Sequence, residues 1–389
     1  MNYAKKKVTM DDIAKALGIS KNSVSLALHN KAGVGPALRL KIAEAAKDMN
    51  YGGSLSDFQR KRKFISVIVP EYLHDDPYFY YDVFWAIEKE AAAKGCIIIT
   101  SGVSREDEEA LALPPLANDD DVELIGFLIV GVISAGYFQK VCALGLPVLT
   151  VDIQYNNKLA QRPDGAAAVK PFGCVGSSNF SGGHLAADYL LSKGHKKIGF
   201  IGPVYTAQSV YERYCGFNYL LSTQEDPAAP PPGQERPDSY GEVNGAALAH
   251  GTEHGFPRRE RFDVLGQKGR FGLFDTPESL DPYLRKMKGF PTAWFCAGDR
   301  IAVAAMNWLT HNGVKIPDDV SVIGFDDIPI AEMVFPKLTT IHVNRKLMGK
   351  LAVDSLVDMG REGSEVYNIS LPVALVERDS VKDISKTQI

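Results

Sequence analysis

The stretch Thr9-Met10-Asp11-Asp12-Ile13-Ala14-Lys15-Ala16-Leu17-Gly18-Ile19-Ser20-Lys21-Asn22-Ser23-Val24-Ser25-Leu26-Ala27-Leu28 reads as two short helices joined by a glycine turn. Thr9 with Asp12 three residues later forms a capping-box pattern, in which the free amides of a first turn find side-chain partners. Ile13, Ala14 and Leu17 then share one face, and Gly18 ends the helix. Ser20 caps a second helix, on which Val24, Ala27 and Leu28 recur as one buried stripe and Lys21, Asn22, Ser25 and Leu26 face outward. Gly35-Pro36 opens a third helix with proline at the tolerated first position, and Leu38, Ile42, Ala46 and Met49 line its core side. Two short helices about a tight turn, followed by a third, make a helix-turn-helix. Its second helix enters a DNA major groove about 12 Å wide and reads base edges from its N-terminal end.

Working outward, charge divides the chain. Residues 1–63 hold 13 Lys and Arg against 5 Asp and Glu, a net +8, so the remaining residues carry −12 within an overall −4. A basic head on an acidic body is the electrostatic footprint of a polyanion binder whose body must be held off the polyanion. The length of 389 residues suits two or three globular units at roughly 150 residues each. The most apolar stretch, Ile125 to Ile133, falls well short of the roughly 20 residues of a membrane span. No apolar core of a signal peptide follows Lys5-Lys6-Lys7, so a cytoplasmic location without membrane attachment is expected. Cys96, Cys142, Cys174, Cys215 and Cys296 are odd in number and widely spaced, which suits reduced thiols better than a disulfide frame or a zinc site.

The run from Val8 to Leu28, continuing to Met49-Asn50-Tyr51, resembles the DNA-binding domain of the LacI/GalR family of bacterial transcription regulators. The resemblance implies Lys21 and Asn22 as base readers and Ser25 as a phosphate or base contact, with the caps Thr9 and Ser20 in the same DNA-binding set. Leu26 departs from the family's polar reader at this position: it either touches a thymine methyl or sits passively in the groove. In the family the following segment becomes a hinge helix on DNA and wedges a leucine into the minor groove. Here Gly52-Gly53 stands where a proline is usual and Arg60 where the leucine is usual, so Leu55 and Phe58, three apart, are the candidate wedges. Arg60-Lys61-Arg62-Lys63 either sits on phosphates or is a solvated linker.

From Phe64 the pattern changes to alternating strands and helices. Apolar runs at Phe64–Val69, Cys96–Thr100, Leu124–Val130, Pro147–Ile153, Lys197–Ile201, Thr292–Cys296 and Val320–Phe325 read as strands. Between them, His184–Lys193, Tyr211–Leu221 and Arg300–Asn312 read as helices. This builds open parallel sheets with helices on both faces and a cleft outside the strand ends. The LacI/GalR resemblance extends through Asp76-Pro77-Tyr78-Phe79, Gly182-Gly183-His184 to Gly202, Arg213 with Gly216-Phe217, Pro291 to Asp299 and Ile316 to Asp327. It implies an effector domain similar to periplasmic sugar-binding proteins. The expected fold is therefore multi-domain: a small all-α helix-turn-helix head followed by an α/β, two-lobed, periplasmic-binding-protein-like body with parallel sheets. Its parts are the head at 1–51, a hinge at 52–63 and an effector-binding and dimerisation domain at 64–389. The lobes of that domain are placed at 64–177 plus 331–355 and at 178–330 plus 356–389. Thr223 to Arg261, with Pro230-Pro231-Pro232-Gly233, reads as an inserted surface loop.

Catalytic signatures are missing. His250 and His254 are four apart but lack the glutamate of a zinc-protease helix, and no phosphate loop or nucleophile elbow occurs. Gly176 to Gly183 is a closely packed helix start rather than a nucleotide site. No catalytic residue, metal or cofactor is expected. A sugar needs an aromatic wall and bidentate hydrogen-bonding groups; at the matched positions Tyr78 and Phe79 offer the wall, Arg213 a planar donor fork, and Asp152 and Asp299 the acceptors. For Tyr78 and Phe79 the other reading is ordinary core, and for Asp299 a helix cap. The chain thus reads as a homodimeric repressor of a palindromic, double-stranded operator, controlled by a small carbohydrate-like effector. Two rival readings are a solute-binding protein and a sugar-metabolising enzyme carrying a DNA-binding head. Turnover and DNA-binding assays on one preparation separate them.

Overall fold

The computed structural model describes residues 8–28, 31, 33–49, 51, 62–73, 78–114, 122–152, 172–204, 207–225, 263–265, 274–361 and 366–387. Leu55 and Phe58 in the hinge, and the insertion beyond Glu225, lie outside the described residues.

The head consists of α1 (Met10–Leu17), α2 (Lys21–Leu28) and α3 (Pro36–Asp48). The Asp12 carboxylate accepts from the Thr9 amide at 2.8 Å and from the Thr9 hydroxyl at 2.7 Å. Gly18 closes α1 in the left-handed conformation, φ 66°, which glycine adopts without a Cβ penalty. Ile13, Ala14, Val24, Ala27, Leu28, Ile42 and Ala46 form the core, with Leu17, Leu38 and Met49 packed around it. Arg39 on α3 stitches the turn that leaves α2, donating to the carbonyls of Ala27, Lys31 and Val34.

The body has two sheets. The first runs β10–β5–β4–β3–β1–β2, and the second β11–β9–β8–β7–β6. In chain order the strands are β1 (Arg62–Pro70), β2 (Cys96–Val103), β3 (Val122–Val130), β4 (Val148–Val151), β5 (Gly173–Ser177), β6 (Ile198–Ile201), β7 (Ala293–Cys296), β8 (Ser321–Asp326), β9 (Thr339–Val343), β10 (Asn368–Leu371) and β11 (Val373–Val376). Pairs β3–β4, β4–β5 and β5–β10 are parallel, as are β6–β7, β7–β8 and β8–β9, whereas β11 runs antiparallel to β9. Strands covered on both faces should be apolar throughout rather than alternating; β1 is buried from Phe64 to Pro70, and β4 and β7 at every position.

The chain passes between the sheets three times, and the later passages correct the expected lobe boundaries. Residues 331–355 were expected in the first lobe, yet β9 pairs with β8 in the second sheet, Ile323 opposite Thr339. Residues 356–389 were expected in the second lobe, yet β10 pairs with β5 in the first. The reason is the helix Arg345–Met359, whose buried stripe Met348, Ala352, Val353 and Leu356 packs on β4, β5 and the helix α4 (Phe79–Ala93). The crossing therefore comes at the start of that helix and returns after β10.

Further helices include α5 (Arg105–Ala110), α6 (Ala135–Cys142), α7 (Asn179–Ser192) and α8 (Gln208–Glu225). The last two cross at van der Waals contact between backbones. A Cβ on Gly183 would lie 1.9 Å from the Arg213 carbonyl oxygen, and one on Gly216 1.9 Å from that of Phe180. The glycine-rich Gly176–Gly183 run is thus the end of a strand and a close-packing helix start. Because α8 continues to Glu225, the inserted stretch begins later than Thr223. Val264 rejoins the second sheet by a bridge to Ile201. Asp263 accepts from the Phe200 amide at 2.9 Å and the Tyr214 hydroxyl at 3.2 Å. All five cysteines are free thiols. Among the described residues no cluster of His, Cys, Asp and Glu is able to hold a metal, and no helix is long and apolar enough to cross a membrane.

Candidate functional site

On the head, Ser20 accepts the Ser23 amide at 3.0 Å and so caps α2. Lys21 and Asn22 are exposed on the first turn, while Ser25 and Leu26 are half-buried further along. Leu26 leans toward the following turn, its Cδ1 3.3 Å from where a Cβ on Gly33 would be. The sequence reading did not anticipate the partner of Lys21: its ammonium sits 2.8 Å from the Asp11 carboxylate at the start of α1. The contact raises the lysine pKa, but both groups face water, where such pairs stabilise little. Lys21 can exchange Asp11 for a phosphate or a base at small cost.

The body's site is built where strands of both sheets end, the usual ligand position in open α/β sheets. Asp152 follows β4 with φ 65°, Asn179 opens α7 after β5, Ala297 follows β7, and Asp326 ends β8 with φ 102°. The close α7–α8 crossing brings Arg213 among them. Its Nε donates to Asn179 Oδ1 at 2.9 Å and its Nη1 to the Ala297 carbonyl at 2.5 Å. Nη2 lies 3.2 Å from Asp326 Oδ1, and the guanidinium lies 3.7 Å from the centre of the Phe325 ring. A buried guanidinium requires such paired and stacked surroundings.

Asp152 faces this group from the other sheet. Tyr80 donates to its Oδ2 at a long 3.4 Å, and Oδ1 is buried without a hydrogen-bond partner. Burial pushes its carboxyl up to about 7, with Asp326 adding repulsion and Arg213 opposing both. Tyr78 stands at the edge, its ring 5.9 Å from the Arg300 guanidinium, which pairs with Asp275 at 2.5 Å.

Two expected ligand contacts have their partners inside the protein, although Asp299 stays within electrostatic reach of Asp326. Asp299 is fully buried, its Oδ2 accepting the Ile328 amide at 2.8 Å and its Oδ1 the Thr340 hydroxyl at 2.5 Å. Burial holds its carboxyl well above the ordinary range. It pins the helix Asp299–His311 to the loop after β8 and to β9, with both oxygens occupied. Phe79 lies in the core, edge-on to Tyr80 at 4.9 Å. Tyr80, Asn179 and Asp326 were missed; each stands at a helix start or strand end, and the Asp326-Asp327 pair closing an apolar run was the available signal.

Beside Asp326, Asp327 is also left-handed, φ 51°. The bend is held from several sides. Arg345 donates to both carbonyls and also pairs with Asp82 on α4 at 3.2 Å. Asp327 accepts from Arg378 at 2.7 Å and contacts His342 Nδ1 at 2.8 Å.

A DNA-reading head on a body that gathers polar side chains between two α/β lobes defines a ligand-responsive regulator. Residues 9–54 match the model for bacterial regulatory proteins of the lacI family, and residues 187–381 that for a periplasmic binding protein-like domain. The chain belongs to the LacI family of bacterial transcription regulators. It is similar along 97% of its length to the "HTH-type transcriptional repressor PurR" of Mannheimia succiniciproducens, 24% identical over 99% of that protein, and of Histophilus somni, 26% identical over 99%. Solved structures share the fold. They include the lac repressor dimer bound to operator and the anti-inducer ONPF (TM-score 0.62, 22% identity, 97% of this chain and 100% of that one). Another is an Enterococcus faecium LacI-family regulator with bound ribose (TM-score 0.59, 21% identity, 82% and 99%).

Proposed function

We propose that the protein is a cytoplasmic repressor that binds a palindromic operator as a homodimer, and that a small carbohydrate-like ligand held around Arg213 and Asp152 sets its operator affinity. The observation that carries this reading is the pairing of two separate sites in one chain. Lys21 and Asn22 are presented by a capped reading helix, and a buried guanidinium faces a carboxylate with an unused oxygen. Thr9, Ser20, Ser25 and Leu26 complete the head's DNA face, and Leu55 and Phe58 are assigned to the minor groove at the operator centre.

Several features support the finer points. Fold neighbours are named with cellobiose and with ribose bound. One fold neighbour is named as a dimer on its operator, and two-fold protein symmetry matches a palindromic site. On this chain Tyr81 and Trp85 of α4, with Met333 and Phe335, expose large apolar surface of the kind a second copy covers. Ligand binding that favours one lobe geometry changes operator affinity through a coupling of a few kcal/mol.

The test is selection of the full-length chain on random duplex DNA, followed by titration of the enriched site with a sugar panel. A two-fold symmetric consensus is expected, bound more weakly as salt rises because counterions are released. At least one sugar should change that affinity in the parent and not in Arg213→Ala. An asymmetric or absent consensus, or equal binding by a chain beginning at Phe64, would refute the proposal.

A further inference from the structure

The charges around the cleft are unequal in a way that bears on what fills it. Arg213 is the guanidinium that meets Asp326, and it also lies within electrostatic reach of Asp152 on the opposite lobe. Two carboxylates thus share one cation, and Glu212 adds a third negative charge near Asp152. The other guanidinium groups nearby are already neutralised: Arg300 by Asp275 and Arg345 by Asp82. Among the described residues, the surplus at the cleft is therefore negative. It bears on Asp152 Oδ1, which is buried with no donor and, unlike Asp326 Oδ1, has no guanidinium of the described residues within 4 Å. A buried carboxylate oxygen without a donor is costly, and a donor that brings positive charge relieves it most.

We infer that the cleft selects hydroxylated ligands bearing a protonated amine, which donates to Asp152 Oδ1, and rejects those bearing phosphate or carboxylate groups. The inference rests on the reading of this cleft as the effector site, and it narrows the ligand's charge. An anion would have to displace Asp326 from Arg213 and then lie against Asp152, leaving two carboxylates without a cation. An ammonium instead gives Asp152 the partner it lacks and leaves Arg213 with Asp326. The ordinary neutral sugar satisfies Oδ1 through a hydroxyl, at the strength of an uncharged donor. That burial and Asp326 hold the Asp152 carboxyl up to about 7 agrees with a site built short of one positive charge.

The experiment uses the full chain at about pH 7, where the amino sugars keep their proton and the Asp152 carboxyl, held at about 7, can ionise against it. Glucose, galactose and mannose are each titrated by calorimetry beside their 2-amino, 6-phosphate and uronate counterparts. At least one amino sugar is expected to bind about tenfold or more tighter than its parent sugar, the difference between a charged and an uncharged donor to a buried carboxylate. The phosphates and uronates are expected not to bind. Asp152→Asn should erase the tenfold advantage while keeping the fold, because asparagine matches the shape and tolerates left-handed backbone. Its thermal midpoint without ligand should equal or exceed the parent's. Binding of a phosphate or uronate as tight as its parent sugar would overturn the inference, as would equal binding of amino and neutral sugars. Neutral sugars binding while amino sugars do not would overturn it too, yet leave the carbohydrate reading standing. Silence of every probe would take down both.

Discussion

Replacing Gly183 by alanine should destabilise this protein, against the usual direction for a helical glycine. In an open helix the change gains up to about 1 kcal/mol, because alanine orders more cheaply. Here the new Cβ would lie 1.9 Å from the Arg213 carbonyl oxygen and 2.8 Å from its carbonyl carbon, where ordinary contact begins near 3.4 Å. Both obstacles are backbone, so no side chain can swing aside; α7 and α8 must part by about 1.5 Å. Overpacking of this kind costs about 1–3 kcal/mol, and a clash with backbone on both sides belongs at the upper end, which leaves a net loss of about 2 kcal/mol. For a domain of this size that is a fall of about 4–8 °C in thermal midpoint. The same displacement draws Arg213 away from Ala297 and Asp326, so ligand affinity should fall as well. Gly136 on α6 is the control: a Cβ there meets Leu111 at an unstrained 3.6 Å, and Gly136→Ala should be neutral or stabilising. Thermal melts by circular dichroism and ligand titrations of both variants are the assay. A Gly183→Ala midpoint at or above the parent's would refute the packing argument. A lowered midpoint with unchanged ligand affinity would show that this crossing does not position Arg213.

Asp152 should leave a signature in pH. Its carboxyl is raised to about 7 in the folded state from 3.8, so between about pH 4 and pH 7 the unfolded chain releases a proton that the folded chain keeps, and stability falls as pH rises through that window. Asp152→Asn should remove this fall, on the order of several kcal/mol at most; parallel melting curves from pH 4 to 8 would contradict it. Asp299→Ala should cost about 3 kcal/mol or more, because the Ile328 amide and the Thr340 hydroxyl lose their acceptor in the core. Asp299→Asn, which keeps one carbonyl oxygen, should cost less, and urea denaturation measures both. On the head, Asn22→Ala should relax base choice at one position of each half-site by about 1–3 kcal/mol, checked by binding to single-base variants of the selected site.

What was legible in the sequence follows from the range of the forces involved. Capping at Thr9 and Ser20, the left-handed Gly18 and the stripes of α1, α2 and α3 are set by neighbours within four residues, and the expected head matches the described one closely. Apolar runs gave most strands of the body within a few residues. The short β5, Gly-Cys-Val-Gly-Ser, was missed because its glycines carry no periodicity; Gly173 is there because the backbone of Tyr367 and the side chain of Leu149 leave no room for a Cβ. The lobe assignment of β9 and β10 is fixed by pairing across long sequence distances, which local pattern does not encode. The site shows the same division. Arg213 and Asp152 were expected from residue type at the matched positions, but only the folded arrangement shows that Asp299 is enclosed and that Asp326 takes the place beside Arg213.

The bend at Asp326-Asp327 has the character of a tensioned joint. Two successive left-handed residues without glycine hold backbone strain of order 1–3 kcal/mol each at most, and aspartate is among the residues that tolerate it best. They are kept so by struts from separate parts of the body: Arg213 on one side, Arg378 and His342 on another, and Arg345 beneath, itself tied to Asp82 on α4. A change at any one of these struts therefore bears on the bend, and through Arg345 and Asp82 it also bears on α4, the helix that carries the outward-facing Tyr81 and Trp85.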